Sequence, residues 1–67
     1  MNEIWPMEKG WYCIYSEDVQ LCQHLARLKK SDWFGTYTKG DRWIAEQYRF
    51  PKENYNTIAK RAGLLGH

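Results

Sequence analysis

The chain has 67 residues, 43% of them hydrophobic and 27% charged, with ten Lys/Arg against eight Asp/Glu for a net charge of +2. That length makes a single domain near the lower limit of unaided folding, and the composition excludes an intrinsically disordered chain. A charge of +2 does not by itself mark a nucleic-acid binder, and no run approaches the roughly 20 apolar residues of a membrane span.

The opening Met1-Asn2-Glu3-Ile4-Trp5-Pro6 lacks the basic and apolar regions of a signal peptide. A cytoplasmic location is therefore expected, with both cysteines as free thiols. Residues 1–9, interrupted by Pro6, read as an irregular N-terminal arm, and Trp5 is placed to cover one end of the core. After Gly10, the run Trp11-Tyr12-Cys13-Ile14-Tyr15 is a strand of high β propensity. Ser16-Glu17-Asp18 then opens a helix, with a capping hydroxyl and two carboxylates at the positive end of the dipole. Leu21, Cys22, Leu25 and Leu28 form its apolar stripe, with Ala26 beside them, and Lys29-Lys30 complement its carbonyl end.

Residues 33–50 then carry two aromatic and β-branched runs around Lys39-Gly40-Asp41-Arg42, the signal for a β-hairpin. A type II′ loop at Gly40-Asp41 places Thr38 opposite Trp43, Tyr37 opposite Ile44, Thr36 opposite Ala45 and Trp33 opposite Tyr48. A Lys39-Gly40 loop would shift every pair. Pro51 ends the ladder and starts a second helix, with Glu53 in its first turn and Tyr55, Ile58, Ala59 and Ala62 on one face. Gly63 fits the left-handed position of a Schellman stop, with Leu64 after it. The domain spans 10–65, leaving 66–67 as a tail.

The fold class is α+β: one small domain of β-α-β-β-α order, a three-stranded sheet in spatial order 1-3-2, and two helices on one face. Strict alternation assigns Tyr12, Ile14, Trp33, Tyr37, Ile44, Tyr48 and Phe50 to the covered face, with Gly35 and Glu46 as its exceptions. A carboxylate there belongs at the rim, paired with Lys or Arg. The open face receives Trp11, Cys13, Tyr15, Phe34, Thr36, Thr38, Trp43, Ala45, Gln47 and Arg49.

Catalytic chemistry has little to stand on. His24 lies on the polar side of a helix and His67 at the terminus. Cys22 and His24 point in different directions, and Cys13 and Cys22 match no zinc spacing. No phosphate loop, nucleophile elbow or paired-carboxylate motif is present, so neither an enzyme nor a cofactor is expected. Asn56-Thr57-Ile58-Ala59-Lys60-Arg61-Ala62-Gly63-Leu64 resembles the first helix and turn of a bacterial helix-turn-helix. In that motif a second helix follows and enters the major groove; the three residues after Leu64 leave no room for one, and no function is carried across.

Eleven aromatic residues in so short a chain serve first as large core pieces, and those left outside define a binding surface. The expected open-face rings, Trp11, Tyr15, Phe34 and Trp43, stand with Arg49, Lys39, Arg42, Lys60 and Arg61 as candidate site residues. Rings on an open sheet with Arg nearby stack unpaired bases, which points to a small nucleic-acid-binding accessory protein. The alternative is a protein-interaction module, such as a regulator or inhibitor of a larger enzyme, in the manner of small phage and mobile-element proteins. A homodimer seam across the open face is expected, because so large an apolar patch is rarely left bare. The competing arrangement folds the N-terminal arm over the same rings.

Overall fold

The computed structural model describes residues 1–64; the expected tail, 66–67, and the last residue of the expected domain, Leu65, lie outside the described residues. The elements run β1 (Asn2–Pro6), β2 (Trp11–Ser16), α1 (Val19–Arg27), β3 (Asp32–Lys39), β4 (Arg42–Pro51), a 3-10 turn (Lys52–Asn54) and α2 (Tyr55–Arg61). They build a small α+β domain around one antiparallel sheet of order β1-β2-β4-β3. The expected three-stranded 1-3-2 sheet is thus corrected to four strands. Within the larger sheet β4 lies between β2 and β3, and pairs antiparallel with both, so β2 and β3 run in the same direction.

The fourth strand comes from the expected irregular arm. Asn2–Pro6 pairs along its whole length with β2, from Asn2 opposite Ser16 to Pro6 opposite Tyr12. Without it the outer N–H and C=O groups of β2 would lack partners, a cost that outweighs the weak strand propensity of the segment. Pro6 is tolerated because β1 is an edge strand. Ile4 turns inward against the core while Glu3 and Trp5 point the other way.

The core lies between the sheet and α1 and α2, where Ile14, Leu21, Cys22, Leu25, Tyr48, Phe50 and Ile58 pack together. α1 starts later than its sequence suggests. Asp18 is the N-cap and accepts from the N–H groups of Gln20 and Leu21 at 2.9 and 3.2 Å, whereas Ser16 ends β2. The helix stops at Arg27, so Lys29-Lys30 fall in the following turn, where Lys30 meets Glu53 at 3.0 Å. α2 ends as expected: Gly63 takes φ +74°, Leu64 N–H donates to Ala59 O at 2.9 Å, and Gly63 N–H to Lys60 O at 3.1 Å.

The hairpin turns where expected, with Lys39 opposite Arg42 and Gly40 at φ +62°. Its register is corrected in the middle. Thr38 does face Trp43 and Trp33 does face Tyr48, but Tyr37 faces Ala45 and Thr36 faces Glu46. Ile44 is an extra residue on β4 and Phe34 on β3, two bulges that compensate each other. Between them every side chain on β3 changes face relative to strict alternation. Tyr37 therefore leaves the helix side, and Thr36 joins it. On β4 the bulge turns Trp43 toward the helices, where it packs on the core.

Candidate functional site

α1 packs on β2 and β4, which leaves the opposite side of the sheet and the outer strand β3 uncovered by helices. On the open side, directly paired residues form three rows: Trp5–Cys13–Arg49–Asp32, then Glu3–Tyr15–Gln47–Gly35, then Tyr37–Ala45. Small residues sit at the centre, and large rings lie over them. Cys13 and Ala45 are consequently buried, at 1% and 0% exposure, on a face that no helix covers.

The polar groups of this face satisfy one another. Tyr37 Oη donates to Gln47 Oε1 at 2.7 Å, and Gln47 Nε2 reaches Cys13 Sγ at 3.0 Å. The Tyr15 and Tyr37 rings meet at 5.6 Å, and Tyr15 Oη donates to Glu17 Oε2 at 3.1 Å. Desolvation, reinforced by the Glu17 carboxylate, holds the Tyr15 hydroxyl above its ordinary pKa. Arg49 lies 4.5 Å over the Trp11 ring, and its guanidinium pairs with Asp32 at 2.9 Å and with Glu8 at 3.2 Å. Its charge is therefore committed within the face.

Carboxylates flank these rings: Glu3 and Glu17 at one end, Glu8 and Asp32 at the other. Glu17 also binds the amino terminus, and that ammonium, together with the Tyr15 hydroxyl, lowers its pKa. Met1, Glu3, Trp5, Tyr15, Glu17, Tyr37 and Gln47 line an open cleft of about 370 Å³. Aromatic walls with carboxylates at the lip suit a cationic side chain, which gains from both the ring faces and the opposite charge.

The residues expected to form one site are divided. Trp11, Tyr15 and Arg49 share the open face. Phe34 is the bulged residue of the outer strand, 51% exposed. Trp43 sits on the helix side, lining a second hollow of about 470 Å³ with Val19, Cys22, Ala26, Glu46 and Tyr48. Lys39 and Arg42 stand at the hairpin tip, and Lys60 and Arg61 in the last turn of α2.

Sequence reasoning missed Glu3, Trp5, Glu17 and Tyr37. The first two were hidden by the unrecognised strand, and the β-forming pair Ile4-Trp5 ahead of a Gly10 turn was the signal that pointed to it. Tyr37 was hidden by the bulges, for which the sequence carries no local signal.

Glu46 is on the helix side, as expected, but its partners are not cations. It accepts from Trp43 Nε1 at 3.2 Å and from Tyr48 Oη at 2.8 Å. Burial and this carboxylate push the Tyr48 hydroxyl well above its usual range. The two thiols are free and lie on opposite sides of the sheet, with Cys22 Sγ donating to Ser16 O at 3.6 Å. Burial raises the Cys22 pKa.

Among the described residues, no three His, Cys, Asp or Glu side chains cluster as metal ligands, and no helix is long and apolar enough to cross a membrane. Comparison with protein-family models, with curated proteins and with solved structures finds no match to this chain.

Proposed function

We propose that this chain is a small cytoplasmic protein-interaction module that binds without catalysing, and that its docking surface is the open sheet face. The observation that carries this reading is the charge around the rings. Glu3, Glu8, Glu17 and Asp32 surround them, and both cations among them are already paired, Arg49 with Glu8 and Asp32 and the amino terminus with Glu17. A protein surface with an apolar centre and Lys or Arg at its rim complements that pattern, with one basic side chain entering the cleft between Trp5, Tyr15 and Tyr37.

Nucleic acid fits less well, because phosphates brought over the stacking rings would meet carboxylates. Lys39, Arg42, Lys60 and Arg61, which motivate the nucleic-acid reading, lie at the hairpin tip and in α2. A second copy docked face to face fits poorly for a related reason, since the acidic rims would oppose each other.

The test is capture from a nuclease-treated extract, with the wild type compared against a Glu3→Lys, Glu17→Lys double variant of verified fold. One stoichiometric protein partner is expected, weakened by salt and lost with the double variant. Retention by that variant, or salt-steep binding of oligonucleotides in place of a protein, overturns the reading.

A further inference from the structure

The sheet has two free edges, and only one is protected. β1 is short and ends in Pro6, which offers no N–H. β3 runs eight residues without proline, and no charged residue lies between Asp32 and Lys39. Every position on it is solvent-exposed except the half-buried Gly35, and Trp33, Phe34 and Tyr37 are 61%, 51% and 46% exposed. Such a strand is a template for pairing with another. We infer that two copies of this chain pair antiparallel through their β3 edges, forming one continuous eight-stranded sheet about a two-fold axis near Thr36.

The strand is self-complementary in charge and in face. Asp32 shares the open side with its partner Arg49, and alternation from Thr38 opposite Trp43 puts Lys39 on that same side. Lys39 lies three residues after Thr36 and Asp32 four before it; the bulge at Phe34 absorbs the extra residue. An axis at Thr36 therefore brings Asp32 of each copy opposite Lys39 of the other, on one face. Trp33 then meets the second copy's Thr38 on the helix side, and Gly35 meets its Tyr37 on the open side. A register one residue away would oppose side chains that point to different faces. The pairing covers rings now in water, removes an exposed edge, and leaves the open face free for the partner proposed above. It does not rest on that proposal.

The test uses charge exchange with analytical ultracentrifugation. Wild type is expected to show a concentration-dependent monomer–dimer equilibrium below a few hundred micromolar. Asp32→Lys puts Lys against Lys across the axis, and Lys39→Asp puts Asp against Asp. Each single variant should weaken the dimer at least about tenfold, since like charges directly opposite are destabilising. An equimolar mixture of the two variants restores both pairs and should dimerise again, as should the double variant on one chain. Lys39→Asp disturbs no ion pair among the described residues, so it keeps the test valid if Asp32→Lys, which loses the Arg49 contact, proves unstable. In that event a Lys39→Asp dimer as strong as wild type overturns the inference. A wild type that stays monomeric at hundreds of micromolar also overturns it, as does a mixture of folded variants that fails to recover dimerisation.

Discussion

Asn2 ties more of this molecule together than its exposed strand would suggest. Its Oδ1 accepts from the buried Ser16 hydroxyl at 2.6 Å, and its Nδ2 donates to Ala62 O at 3.0 Å. Ser16 Oγ in turn accepts from Asp18 N–H at 3.0 Å, so one side chain links β1, the end of β2, the cap of α1 and the end of α2. Asn2→Ala leaves the fully buried Ser16 hydroxyl without its acceptor, which should cost about 1–3 kcal/mol. Urea unfolding measures this, and in a double-mutant cycle Ser16→Ala should cost less in the Asn2→Ala background than alone. An additive cycle would mean that the two side chains do not act together.

The elements differ in how locally they are specified. α1 and the stop of α2 follow from their own residues: a 3.6-residue stripe and an Asp cap for the first, a glycine in left-handed geometry for the second. An added Cβ at Gly63 would meet nothing within 4 Å, so the cost of Gly63→Ala is a backbone cost. It should be about 1 kcal/mol by denaturant midpoint, with Gly63→Asn less harmful because Asn tolerates that conformation better. Equal and negligible effects would show that the Schellman bonds do not hold the helix end. The strands are less locally specified. β1, signalled only by Ile4-Trp5, and the bulges at Phe34 and Ile44 depend on what lies beside them, and no residue within β3 or β4 announces the bulges.

For the whole molecule, pH tests how the helices meet. His24 Nε2 is buried without a hydrogen-bond partner, and desolvation, then Arg61 on α2 and Arg27 on α1, hold its pKa below the ordinary value. The unfolded chain therefore takes up this proton first, at about pH 6.5. Stability should be undiminished by His24 above that pH, and lost progressively as pH falls from there through the lower folded value. Glu17, also depressed, adds a second loss only below its ordinary value of 4.5. His24→Gln should flatten the urea midpoint against pH in the upper window alone; an unchanged slope there would assign the effect elsewhere.

By itself the sequence determined the α+β class, the presence of α1 and its apolar stripe, the Gly40 turn and the Gly63 stop. It also marked Trp11, Tyr15 and Arg49 as belonging to an open face. These are readable because side-chain period, helix caps and glycine backbone freedom act over a few neighbouring residues. The tertiary structure alone decided that residues 2–6 become a strand, that Tyr37 and Trp43 exchange faces, and that Arg49 is neutralised by Asp32 and Glu8. Each of those outcomes is a competition for hydrogen bonds, space or charge between segments far apart in sequence. A single residue inserted in a strand reverses every face assignment beyond it, and which residue is inserted depends on the strand alongside.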